Sequence, residues 1–538
     1  KADGGTFDGN VTMAGTLGVT GAVTANAGVV VDNITIDGTE IDLSSGSLTI
    51  DSAGDIILDA ADGIITSTAG TSNVKLGDNA GNSIQSGGNF NILLGDEAGT
   101  GITTGDSNIC VGHGAGDALT TGTNNVAIGH LALSTEDANG FNVAVGHQAL
   151  FSLNAGADAQ NTAVGYLAGT AVTTGTNNTL IGASAGDALT VSVDNVAVGG
   201  NSLSADTKGQ NSVALGAGTL QSQNFTSATN TYNTAVGRGA GNAVTTGIQN
   251  TLIGALAGLA LTDADRNTVL GYQALTTDTQ GSLSTAIGKS ALANQNFTSA
   301  TNSFNVAVGA GAGEANVSGV ENTFIGGLAG DASTTDHNTF VGYNSGGAVT
   351  SGFRNSFFGK DSGDAMTTGD KNVIIGSYGG NEGGLDIRTA DKNIVISDGD
   401  GNPRGYYLGS DTTWYFPDVY NDASSSSANV VVLDGGRLLR STSSRKYKNT
   451  INDATHGLTE LVTLRPVTYK GNNDGDTVFG GLIAEEVHDA GLTEFVAYNK
   501  NNEPDSLHYG NMVSLCIKAI QELSAKNDAL EARIKTLE

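Results

Sequence analysis

The segment STSSRKYKNTI, residues 441–451, sets Ser443 five positions before Lys448, with the cations Arg445 and Lys446 between them. A serine hydroxyl paired with a lysine can attack a peptide carbonyl without histidine, provided burial or nearby cations disfavour the ammonium so that the amine takes the hydroxyl proton. Arg445 and Lys446 supply part of that condition. The spacing alone carries little information, because serine and lysine stand this far apart in many solvated turns. What surrounds the pair has to decide.

The other chemically suggestive clusters are weaker. Asp398, Asp400 and Asn402 in DGDGN offer oxygen ligands, but Pro403 stands where a calcium-binding EF-hand needs glycine and Gly409 where it needs the bidentate glutamate. A turn is expected there. Glu485 and Glu486 are adjacent, so they point apart on a helix or a strand and make a poor general acid and base pair. The seven histidines have no metal-ligand spacing, and glycine-rich corners such as GAGAGE lack the strand and helix context of a phosphate loop. Cys110 and Cys516, far apart in the chain, are read as buried thiols. No metal and no cofactor is expected.

The elements that must carry any such site are set by a repeat. The unit is Asn-x-φ-φ-Gly, where φ is apolar, as in NVAIG (125–129) and NTLIG (178–182). Its glycine recurs eighteen times from Gly77 to Gly376. The interval is about 17 residues, as from Gly112 to Gly129 and on to Gly146, which is one turn of a β-solenoid. Each turn reads as a short strand, a glycine corner, a small-residue stretch such as AGDALT and a polar turn. Alternation puts Val126 and Ile128 on one side of their strand and Ala127 on the other, so the alanine column meets a narrow space, either the interior of the turn or a neighbouring chain. Phe324, Phe340 and Phe357 take that middle place in later turns and predict a stack of rings with local widening. Asn opens sixteen of the eighteen units, Ser212 and Ser284 being the exceptions, and a turn-to-turn amide ladder is expected. At about 4.8 Å per turn the rod is roughly 85 Å long. A longer period relates the evenly spaced Gly165, Gly237 and Gly309, with the insert QNFTSATN at 223–230 and again at 295–302. These inserts are expected as bumps on one side of the shaft, either spacers or a ligand contact.

Composition agrees with a thin, elongated core: of 538 residues 79 are glycine, one is tryptophan and 5% are aromatic, while 38% are apolar. The formal charge of −30 disfavours binding to nucleic acid through its phosphates and favours solubility of a strand-rich rod. No apolar run is long enough for a membrane-spanning helix. The chain opens on Lys1 rather than Met and is read as a fragment or processed product. Residues 1–72 read as fibrous β structure, 73–380 as the repeat, and 381–440, with its lone tryptophan, as a β neck that caps the rod. From Arg440 the composition is that of a mixed α+β domain. In its last helix Val513, Cys516, Ile520, Leu523, Asn527, Leu530, Ile534 and Leu537 alternate by three and four, a coiled-coil seam over about 510–538. The alternative is an amphipathic helix lying on its own domain.

Four ordered motifs, SSRKYKNTI, LTELVTLRPVTYK, FGGLIAEEV and LHYGNMVSLCIKAIQEL, resemble the C-terminal intramolecular chaperone domain of endosialidase-type phage tailspikes and tail fibres. The same domain occurs in a membrane-bound myelin transcription regulator. The resemblance covers about residues 441–538; more loosely, the repeats are similar to the β-roll heads of trimeric autotransporter adhesins. It implies a domain that trimerises, guides folding of the upstream shaft and then releases itself. It also selects Ser443 as nucleophile and Lys448 as base, with the cut at Thr442/Ser443. Many relatives have Ser-Asp where this chain has Ser443-Ser444, which leaves Ser444 as a lesser candidate.

The expected fold is therefore mainly β: an elongated trimeric β-solenoid of about 17 residues per turn, followed by an α+β chaperone domain that ends in a trimeric coiled-coil helix. The expected function is that of a bacteriophage tail fibre, a virion protein made in the host cytoplasm and working outside the cell. Its partners would be two further copies of itself, a host cell-surface glycan or protein, and other tail proteins through a missing N-terminal part, without nucleic acid or membrane insertion. At most it would be a single-turnover autoprotease. A polysaccharide-degrading tailspike and a bacterial trimeric surface adhesin are the alternatives.

Overall fold

In the computed structural model the described residues are 70–417, 430–433, 437–440, 444–472, 475–499 and 501–538. The expectation for residues 1–72 falls almost wholly outside them. The chain divides into two units at 422/423.

Short strands recur once per repeat in the first unit because each Asn-x-φ-φ segment is extended and is followed by a corner that only glycine fits. Gly129 has φ +129°, and a Cβ there would lie 2.4 Å from the carbonyl oxygen of Gly146, the matching glycine one turn on. The corner glycines thus stack backbone on backbone. Nineteen strands, from Val74–Leu76 to Ile394–Ser397, pair in parallel, each inner one with the turn before and the turn after. Register is residue for residue, as in Val126↔Val143, Ala127↔Ala144 and Ile128↔Val145. The unit is a β-solenoid with about 17 residues in each turn. It has about nineteen turns, one more than the glycine spacing counts. The extra turn, Asn393 to Ser397, has serine where the others have the corner glycine. Two antiparallel strands, Pro403–Leu408 and Thr413–Tyr415, follow it, and Tyr406 and Leu408 pack on the core.

The middle residue of each strand faces into its own turn. Ala127, Ala144 and Ala163 are fully buried, while their strand neighbours stay partly or largely exposed. Phe324, Phe340 and Phe357 stack inside with ring centroids 5.6 and 4.9 Å apart. Glycines make their room: a Cβ at Gly346 or Gly363 would come within 2.5 Å of the facing ring.

In the second unit, helix α1 (Leu458–Leu461), the hairpin Val467–Lys470/Val478–Gly481, helix α2 (Ala484–Asp489), the hairpin Val496–Tyr498/Pro504–Leu507 and the long helix α3 (Tyr509–Leu537) form a small α+β fold. Its core joins Val487, Leu492, Phe495 and Val496 to Met512 and Leu515 of α3.

Candidate functional sites

The interior ladder is the first arrangement that the repeat builds. The backbone N–H of Asn108 donates to Oδ1 of Asn91 at 2.9 Å, its Nδ2 donates to the same oxygen at 3.1 Å, and Nδ2 also reaches the carbonyl of Gly122 at 2.8 Å. The same geometry recurs along the column, so buried amides satisfy one another from turn to turn. At the two serines a substitute is built in. Gln223 Nε2 donates to Asp206 Oδ2 at 2.6 Å and to Ser212 Oγ at 3.0 Å, and its Oε1 accepts from Asn233 at 2.8 Å. In the next copy of the insert, Gln295 does the same with Asp278, Ser284 and Asn305 at 2.5, 2.9 and 2.8 Å. The inserts are therefore not only bumps: Gln223, Phe225, Gln295 and Phe297 point inward, and residues 226–228 and 298–300 are the exposed tips.

Two outward features follow from the same alternation. The third strand position is Leu, Val, Ile or Phe in all nineteen turns, and none of these residues is buried in the single chain. The first position is Val, Ile, Thr or Ser throughout, so an uncharged, largely apolar strip runs the length of a shaft whose chain carries a charge of −30. At the corner after the glycine, His113, His130, His147 and Tyr166 stack on the outside with centroids 5.1 to 5.3 Å apart.

Helix α3 has two apolar faces. Met512, Leu515 and Ala519 are buried against their own domain. Val513, Ile520, Leu523, Leu530, Ile534 and Leu537 are 48–80% exposed. Both readings of this helix thus have a place on it: its first turns dock, and the predicted seam is bare. Cys516 is exposed on that seam, contrary to the expected buried thiol, because its face of α3 points away from the domain core. Cys110 is buried, and burial, with a smaller contribution from the Asp117 charge, pushes its thiol up to about 12. Glu522 of α3 accepts the Leu458 N–H at 2.9 Å, which ties the helix to the start of α1.

Of the predicted cleavage residues, Thr442 and Ser443 lie outside the described residues. Ser444 and Lys448 bracket a single turn of 3-10 helix, Arg445–Tyr447, with the Lys448 N–H bonded to the Arg445 carbonyl at 3.1 Å, and both side chains are exposed. The remaining three motifs meet in one domain, where α1, α2 and α3 surround the shared core. Glu486 pairs with Arg465, whose hydrogen bond holds its carboxyl below the usual range, while Glu485 lines a cavity of about 310 Å³ with Tyr469, Asp505 and Tyr509. The DGDGN loop is a turn closed on Asp398, which accepts the N–H groups of Asp400 and Asn402 at 3.0 and 2.9 Å and pairs with Arg404 at 2.6 Å. That guanidinium, aided by the two N–H bonds, holds Asp398 at about 2.

No family model, curated protein or solved structure matches the chain.

Proposed function

We propose that the protein is a homotrimeric attachment fibre, with the shaft and the tail helix each packing against two copies of themselves. The bacteriophage tail is its setting, and a host-cell surface component is its target. The C-terminal unit acts as an intramolecular chaperone, aligning three chains before the shaft zips up. In near-identical turns, a slip by one turn costs little energy and exposes strand edges, so alignment at one end has a clear physical use. Autocleavage then proceeds by attack of Ser443 Oγ on the Thr442 carbonyl as Lys448 takes the hydroxyl proton; Lys448 returns that proton to the Ser443 nitrogen as the Thr442–Ser443 C–N bond breaks, and water hydrolyses the resulting ester to free the Thr442 carboxylate.

The observation that carries this reading is the uncharged outward strip. An isoleucine that is 38% exposed, as Ile181 is, leaves roughly 70 Å² uncovered, worth about 1.7 kcal/mol when buried at about 25 cal/mol/Å². Eight of the nineteen third positions are about as exposed as this or more, and the other eleven are partly exposed, so the strip offers on the order of 1,000 Å² per chain, to be shared between two neighbours. The bare seam of α3 is a second surface of the same kind, and a helix extending beyond its domain is marginal in water without a partner.

The test is the solution mass of the purified chain by sedimentation equilibrium, with Ile181→Asp and Ile325→Asp for comparison. Each side chain is exposed in one chain, so the aspartate leaves the single solenoid intact but meets a partner in a trimer. Three chains per particle in the parent, and loss of that state with strand content retained in the double variant, are expected. A monomeric parent would refute the proposal.

A further inference from the structure

Tiers that share the buried Asp–Gln–Ser network differ on their outer corners. After Gly199 and Gly216 the corner residues are Gly200 and Ala217; one long period on, the same places hold Tyr272 and Lys289. Where the side chains are missing, a notch of about 340 Å³ opens, within the range of small-ligand sites. Its far wall is Arg238, which is replaced by Ala310 in the next tier. Among the described residues Arg238 has no carboxylate partner, in a chain with 54 acidic residues. Asn242 Nδ2 donates to Gln221 Oε1 and to the Gly218 carbonyl, both at 2.9 Å. That bonding fixes both amides and leaves Gln221 Nε2 as a donor and Asn242 Oδ1 as an acceptor on two residues of the notch lining. Asn201 adds a third amide at the near wall, and Leu256 and Leu259 give an apolar side.

We propose that this notch binds a sugar residue bearing a carboxylate, at the end of a glycan or once per repeat of one. A guanidinium takes a carboxylate through two parallel N–H bonds, the fixed amides take hydroxyls on either side, and the leucines and Ala217 meet the C–H face of a pyranose. A continuous polyanion is disfavoured, since the shaft itself is acidic. The inference deepens the attachment reading and rests on it, by giving the target a chemical class and a place on the shaft.

The next tier supplies the variants for the test. The nearest atom to a Cβ built on Gly200 is the Ala183 carbonyl oxygen at 3.9 Å, so Gly200→Tyr is accommodated as Tyr272 is. The full chain is titrated by calorimetry with a glucuronate-containing disaccharide and with its neutral glucose counterpart, and particle mass is measured on the same samples. The parent is expected to prefer the acidic sugar; Arg238→Gln should lower that affinity about tenfold or more while changing the neutral sugar little. Gly200→Tyr with Ala217→Lys should abolish binding of both at unchanged particle mass. Equal affinity for the two sugars, no binding of either at millimolar concentration, or full binding by the filled variant would each overturn the proposal. A parent that stays a trimer in those cases leaves the fibre reading standing, and a monomeric parent removes that reading independently.

Discussion

Replacing Asn178 isolates what the amide ladder contributes. Its Oδ1 accepts from the N–H and Nδ2 of Asn195 at 3.1 and 3.2 Å, and its Nδ2 donates to Asn161 Oδ1 at 3.1 Å and to the Ser192 carbonyl at 2.9 Å. Asn178→Ala strands the buried Asn195 N–H and the Ser192 carbonyl, at about 1–3 kcal/mol each, so a local loss of about 2–6 kcal/mol is expected. Asn178→Asp keeps the acceptor for Asn195 but puts a carboxylate oxygen in place of Nδ2, facing Asn161 Oδ1 and the Ser192 carbonyl with no proton to donate. It should be at least as damaging at neutral pH and recover on acidification, when the protonated acid can donate to Ser192. Asn178→Ser should also lose stability, because Ser212 and Ser284 work only with Gln223 and Gln295 beside them. Hydrogen exchange followed by mass spectrometry reads this turn by turn, and a solenoid couples mainly nearest neighbours. A loss of about 2 kcal/mol raises exchange about thirtyfold in the adjoining turns and leaves distant ones unchanged. Exchange in Asn178→Ala within twofold of the parent, or an Asp variant as protected as the parent at pH 7, would refute the account.

Phe340→Ala removes the central ring of the internal stack where the facing residues are glycines that cannot fill the gap, so thermal or denaturant unfolding should show a cost of about 3–5 kcal/mol. Asp117, Asp187 and Asp331 have carboxyls raised by burial, and each has an Oδ1 without a partner among the described residues. Their folded forms hold protons more tightly than the unfolded chain, so stability should rise as pH falls through the raised values toward the ordinary carboxylate range and decline in the reverse direction. The triple Asn variant should flatten that slope, measured as melting temperature against pH. For the cleavage proposal, mass analysis of the denatured chain should find a fragment ending at Thr442, absent in Ser443→Ala and in Lys448→Ala; a parent with no such fragment, or variants that still yield it, would remove the dyad.

The solenoid was legible because its constraints are local: a glycine needed for positive φ and an asparagine needed for turn-to-turn bonding recur at fixed spacing, and alternation separates the Ala127 side from the Ile128 side. Alternation does not say which side is enclosed, so the outward strip emerged only with the structure. The nineteenth turn escaped because Ser397 replaces the marker glycine. The Gln223–Asp206 brace escaped for a different reason, since two polar residues one coil apart, only one of them in an insert, carry no signal until both are seen to point inward. In the C-terminal unit the heptad spacing on α3 was readable, but the second face through Met512 and Leu515 needs the domain beneath it. Cys516 shows the same gap, because spacing gives a face of a helix but not what covers it.

The brace at Gln223 and its copy at Gln295 make the length of the solenoid a discrete quantity. Excising residues 213–284 would join Ser212 to Thr285, restoring the junction Ser284 has with that threonine and removing four coils, about 19 Å of reach. Recombination between the two copies would lengthen or shorten the shaft by that same step, with every internal bond re-formed by an equivalent residue.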